Sequence, residues 1–179
     1  PFDIGKAALL AKGEVLAVAS DCLGATTPGY TESEKEIEGR IENIARHATG
    51  QIYFTTISSN IARMQQAINV ATKLRRKVTF IGRSTEVKAT IAKDLGFLKY
   101  APQVVVPQKQ IGKYPKNASM YIISGSYGQP GSALYRVCMG EHETLSVEAH
   151  DTVIFSSDPA PPGSKANVDL LVDRLIEID

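Results

Sequence analysis

Five apolar, β-branched runs in this chain each end in small polar or charged residues suited to holding an oxyanion. VLAVAS ends at Asp21, IYFTTI at Ser58-Ser59-Asn60, VTFIG at Arg83-Ser84, MYIIS at Gly125-Ser126, and TVIF at Ser156-Ser157-Asp158. Hydroxyls and amides donate to anions, and a guanidinium presents a planar fork that matches phosphate, so Arg83 directly after an apolar run is a phosphate-contact candidate. Taken singly, each serine reads equally as a helix cap, and Arg83 as one half of a salt bridge to a neighbouring helix. Asp21 could orient a histidine or accept from backbone N–H groups. Gly125–Ser132 (GSYGQPGS) is a glycine-rich loop whose N–H groups could line an anion or simply make a tight turn.

Other chemistries find less support. The three histidines, His47, His142 and His150, have no second histidine or cysteine at ligand spacing, so no complete metal site is expected in this chain. Cys22 and Cys138 lack CxxC spacing, and two cysteines make no disulfide framework, so reduced thiols in a cytoplasmic protein are expected. The turn after VLAVAS has no GxGxxG, which argues against a dinucleotide site. Lys73, Arg75, Arg76 and Lys77 form a basic run that reads as a solvated helix end or as an RNA-backbone contact.

Continuous apolar runs of this kind are the mark of strands buried on both faces, as in parallel sheets. Between them lie helical patterns: Ile4–Ala11, Thr31–Ala48 with capping signals at Thr31 and Ser33, Asn60–Arg76, Thr85–Leu95, Ser132–Met139 and Ser164–Ile178. Residues 97–118 are irregular, with a short extra strand at Val104–Val106, and Leu145–Val147 is an edge strand. The alternation predicts a three-layer α/β/α fold with a mainly parallel sheet of five strands. Its carboxyl ends would share one rim, where ligands of open α/β sheets bind. A net charge of +1 over 179 residues excludes a strongly cationic nucleic-acid clamp, and no apolar stretch is long enough to span a membrane.

With these residues in place, the chain resembles bacterial ribonuclease J. The matching residues are Ser20-Asp21, Pro28–Thr31, Ser33-Glu34, Thr55–Arg63 (TTISSNIAR), Gln65-Gln66, Arg76–Val78, Gly82–Ser84, Leu95-Gly96, Gly125-Ser126, Pro130, Ser132–Leu134, Arg136, Gly140, His142 and Asp151–Ile154. They run in order through nearly the whole chain and correspond to the β-CASP domain inserted into a metallo-β-lactamase-type nuclease.

The resemblance implies a parent enzyme in which two zinc ions, held in a lactamase domain of the same chain, activate water to cleave RNA. The β-CASP domain would form one wall of the RNA channel and be catalytically inert alone. Residues 1–14 would lead in from the lactamase domain and 15–179 would be the β-CASP domain. Asp21 would match the acidic residue that helps hold a metal-site histidine. Ser59, Asn60, Arg83, Ser84 and Ser126 would contact the RNA backbone, and the full-length protein has room to form a homo-oligomer. Departures occur at Cys22-Leu23-Gly24, at Tyr127-Gly128-Gln129 and at Asp158–Ser164. Tyr127 could stack on a base or fill space. Two other functions fit the same rim: a sugar-phosphate isomerase-type domain, and a non-catalytic assembly module.

Overall fold

The computed structural model describes residues 3–13, 15–19, 26, 28–29, 33–157 and 163–178. Two compact units divide the chain, residues 1–32 and 33–179. In the first, α1 (Ile4–Leu10) is capped by Asp3, whose carboxylate accepts from the Lys6 N–H at 2.9 Å, and it buries no side chain. The expected strand over Val15–Ser20 does not form across residues 15–19. Its apolar side chains Val15, Leu16 and Val18 stay exposed, and without a ladder partner among the described residues an apolar run is not a strand. Ser20, Asp21, Thr31 and the segment 158–162 lie outside the described residues.

The second unit holds the remaining four expected strands. They are β1 (Ile52–Thr55), β2 (Lys77–Ile81), β3 (Ser119–Ile123) and β4 (Thr152–Phe155), all parallel, in the order β2-β3-β1-β4. Strand register sorts the side chains. Val78, Met120 and Ile52 align across the sheet, as do Phe80, Ile122 and Phe54, and all six face one cluster. Their neighbours Tyr53, Ile81, Tyr121 and Ile123 face the other.

Helices cover both faces. On the first lie α2 (Glu34–His47), α3 (Ile61–Lys73) and α4 (Arg83–Asp94), contributing Ile41, Met64, Ile68 and Ala89 to the core. On the second lie α5 (Gln108–Ile111), α6 (Ala133–Cys138) and α7 (Lys165–Ile178), contributing Ile111, Leu134, Val137 and Leu171. Fully burying a side chain such as Phe54 or Ile52 is worth about 1.5–3 kcal/mol. This is the expected three-layer fold.

Two edge features differ from expectation. Leu145–Val147 forms no strand; Leu145 and Val147 instead rest half-buried against the second cluster, and the Ser146 carbonyl accepts from the Tyr53 hydroxyl at 2.9 Å. At the β2 edge of the sheet, 104–106 lies beside β2: the Val78 N–H donates to the Val104 carbonyl and the Val106 N–H to the Val78 carbonyl, each at 2.8 Å. The short extra strand is reduced to that single parallel bridge.

Candidate functional site

β1 and β2 lead into α3 and α4 on the first face, whereas β3 leads into α6 on the second. Connections leaving neighbouring strands for opposite faces open a crevice at their carboxyl ends. A cleft of about 250 Å³ lies there, lined by the loops after β1 (Thr56–Ser58), β2 (Ser84) and β3 (Ser124–Tyr127, Gln129, Ser132).

Close approach at this rim depends on two glycines. Gly82 (φ +100°) and Gly125 (φ +112°) follow β2 and β3 in the left-handed region that side chains avoid. A Cβ on Gly82 would sit 2.1 Å from Ser124 Oγ, and one on Gly125 would sit 2.3 Å from Ser132 Oγ. The strand ends can therefore meet only without side chains. Ser132 in turn caps α6, its Oγ accepting from the Tyr135 N–H at 3.3 Å.

The polar chain across the cleft begins on α4. Lys88 Nζ donates to Ser58 Oγ at 2.9 Å, and Ser58 Oγ lies 2.8 Å from Ser84 Oγ. With the ammonium on a lone pair of Ser58, that hydroxyl is free to donate to Ser84, whose own O–H is left to donate into the cleft. Ser84 is also in the first turn of α4, where N–H groups and the helix dipole favour negative charge. The Gly82 N-cap supplies no side-chain acceptor to that end. The arrangement is suited to an anion.

Of the expected site residues, Ser84, Ser126 and Tyr127 line this cleft together with Ser58. Ser126 is buried and Tyr127 half-buried. Ser59 and Asn60 do not line it. The Asn60 side-chain oxygen is taken up as the cap of α3, accepting from the Arg63 N–H at 3.0 Å. Arg83 is exposed beside the cleft with no ion-pair partner among the described residues, so its alternative as half of a salt bridge finds none there. Asp21 lies outside the described residues.

Ser156 at the end of β4 belongs to the framework. Arg63 donates from Nη1 to the Ser156 carbonyl at 3.0 Å and to its Oγ at 2.6 Å, while Nη2 pairs with Glu34 at 2.8 Å. The basic run is mostly structural too. Arg76 is buried and donates to the carbonyls of Ala48 (2.6 Å) and Gly50 (2.8 Å), and Lys73 pairs with Glu38 (2.9 Å) and Glu42 (3.1 Å).

Lys88 was not anticipated. Its one sequence signal is that it lies four residues after Ser84, on the same helical face. Among the described residues no three of His, Cys, Asp and Glu converge, so these residues do not fit a zinc centre of their own. Cys138 is buried with its thiol free, and burial raises its pKa to about 11.

The fold and site define a doubly wound α/β domain with a hydroxyl-lined, cation-flanked cleft at the carboxyl edge of its sheet. Residues 49–175 match the family described as Ribonuclease J, beta-CASP domain, and the chain belongs to that family. It is 34% identical over 177 residues to ribonuclease J of Helicobacter pylori strain J99, covering 99% of this chain and 25% of that protein. It is 32% identical over 174 residues to ribonuclease J of Mycoplasma genitalium, covering 97% of this chain and 30% of that protein. To ribonuclease J2 of Bacillus subtilis it is 33% identical over 159 residues, covering 89% of this chain and 29% of that protein. The chain thus spans a quarter to a third of the length of these relatives. The family match does not favour the sugar-phosphate alternative. No described helix is long and apolar enough to cross a membrane.

Proposed function

We propose that this domain forms the RNA-binding wall of a metal-dependent ribonuclease, with the rim cleft gripping the RNA backbone. Its family is the first support. The observation that carries the contact itself is the Lys88–Ser58–Ser84 chain, which sets an ammonium and two linked hydroxyls at a cleft also lined by Ser126 and Tyr127. A phosphate there would take hydrogen bonds from Ser84 and Ser126 and sit in the field of Lys88. Tyr127 would offer a ring to the adjoining base. Arg83, one residue outside the cleft, would meet a neighbouring phosphate, and Ser59 and Asn60 would flank the path.

The cleavage chemistry would lie outside the described residues. Zinc held by a lactamase domain of the same parent would supply the hydrolytic chemistry, with Asp21 supporting a metal-site histidine and residues 1–14 leading in from that domain. Binding of RNA by the full-length protein tests this reading. A Lys88→Gln/Ser84→Ala variant should bind single-stranded RNA about 10- to 100-fold more weakly, since a charge-assisted hydrogen bond is worth about 1.5–3 kcal/mol. Its salt slope should fall by about 0.7 for the lost charge, and by the same again on adding Arg83→Ala. Unchanged affinity and slope in a natively folded variant would exclude the rim as the RNA contact.

A further inference from the structure

The glycine-rich loop after β3 holds two side chains in a fixed frame. Gly128 (φ +67°) lies so close to α7 that a Cβ there would sit 2.4 Å from the Asn167 carbonyl oxygen. Its N–H donates to the Gly125 carbonyl at 2.9 Å, and the Ser132 N–H donates to the Gln129 carbonyl at 3.0 Å. Two turns and a close approach to a helix thus pin the backbone on either side of Tyr127 and Gln129. Both side chains line the rim cleft.

Neither is used by the fold. Tyr127 is half-buried, yet among the described residues its ring meets no other aromatic ring and no cation. Gln129 is exposed and its amide takes no hydrogen bond there. Ser126, one residue before Tyr127, is only 8% exposed, and its hydroxyl has no partner either. No carboxylate lines the cleft among the described residues. Lys88 belongs to the first-face side of the crevice, with Ser58 and Ser84. The cleft of about 250 Å³ therefore has an anion-binding side and, facing it, a side made of a ring and an amide. A single nucleotide has the same two parts.

We propose that Tyr127 and Gln129 form a base seat that prefers adenine, the ring stacking on the base and the amide reading its edge. The proposal rests on RNA being the ligand of the rim. An amide offers one donor and one acceptor side by side. In a single strand a base exposes both its Watson–Crick and its Hoogsteen edge. Adenine alone presents a matching pair on both, its 6-amino group with N1 or with N7. Guanine shows two acceptors, O6 and N7, on the second edge, and the pyrimidines have no ring nitrogen there. Tyr127 and Gln129 are also two of the positions at which this chain departs from the ribonuclease J pattern, so the preference belongs to this chain.

Fluorescence anisotropy on the full-length protein tests it at one fixed salt concentration, using labelled RNA hexamers of adenosine, purine riboside, cytidine and uridine. Purine riboside is adenosine without the 6-amino group, so it keeps the stacking face and loses the amide's partner. The adenosine hexamer should bind about 10-fold more tightly than the other three, the worth of a bidentate amide contact. Gln129→Met should bring it down to the level of the purine riboside hexamer, and Tyr127→Leu should weaken all four. Equal binding of the adenosine and purine riboside hexamers, or an adenosine preference that survives Gln129→Met, would overturn the base seat. If that happens while Lys88→Gln/Ser84→Ala still weakens every hexamer, the rim reading stands without it. If the double variant weakens none of them, the rim reading falls and the base seat with it.

Discussion

His142 shows how a single side chain can report on its surroundings. It follows α6, its N–H donating to the Arg136 carbonyl at 3.1 Å, and its Nδ1 accepts from the Thr144 N–H at 3.3 Å. That acceptor role requires a ring nitrogen without a proton. Burial holds the imidazole below its ordinary pKa of 6.5, the Arg136 charge adds to the effect, and Glu143 opposes it. A depressed histidine favours the neutral form in the folded state, so the unfolded chain takes up the proton first as pH falls. The stability it contributes is therefore present above about pH 6.5 and lost as pH drops below that value. Urea unfolding from pH 8 to 5 should show wild type losing stability relative to His142→Gln below pH 6.5; parallel profiles would rule the effect out. Residue types at the rim were legible because strand ends announce themselves. Lys88 was not, because its partner Ser58 is 30 residues away and only the fold brings the two within 2.9 Å.

Among the elements, strands were legible wherever the fold gave them a neighbour. IYFT, KVTFI, SMYII and TVIF pair; residues 15–19, equally apolar, pair with no strand among the described residues. Composition encodes the wish to be buried, whereas a ladder is a property of two segments. The brace between elements was likewise invisible. Arg63 reads as one letter of a motif, yet it ties α3 to the end of β4 through Ser156 and to the start of α2 through Glu34. Its guanidinium is nearly buried, whereas Glu34 is 56% exposed, so the Ser156 bonds carry more of the energy than the ion pair. Arg63→Met keeps volume and removes the donors: the Ser156 hydroxyl loses its partner, while the Ser156 carbonyl keeps only the Thr56 hydroxyl at 3.1 Å. The expected loss is about 2–3 kcal/mol by urea denaturation, with hydrogen exchange in β4 accelerated more than in β3. A loss below about 0.5 kcal/mol, or uniform exchange, would show that β4 is held by its ladder alone.

At the scale of the whole molecule, the layered fold was legible because one alternating register per strand and one apolar face per helix dictate two cores around a sheet. What the pattern did not show is where the compact unit begins. Every buried hydrophobic side chain among the described residues lies between Ile41 and Leu171. Residues 1–32 form their own unit, and α1 buries nothing while Ile4, Leu9 and Leu10 stay exposed. The start of the second unit is well made: the Ser33 hydroxyl caps α2, accepting from the Lys35 N–H at 3.3 Å, and Glu34 and Glu36 complement the dipole in its first turn. A chain beginning at Ser33 therefore keeps every buried hydrophobic side chain among the described residues, and the cap of α2. It should unfold in one cooperative transition, with a midpoint within about 3 °C of the 179-residue chain, since 1 kcal/mol corresponds to about 2–4 °C at this size. Scanning calorimetry on both chains decides the matter. A midpoint lowered by more than about 10 °C, or a broad transition, would mean that residues 1–32 complete the core rather than precede it.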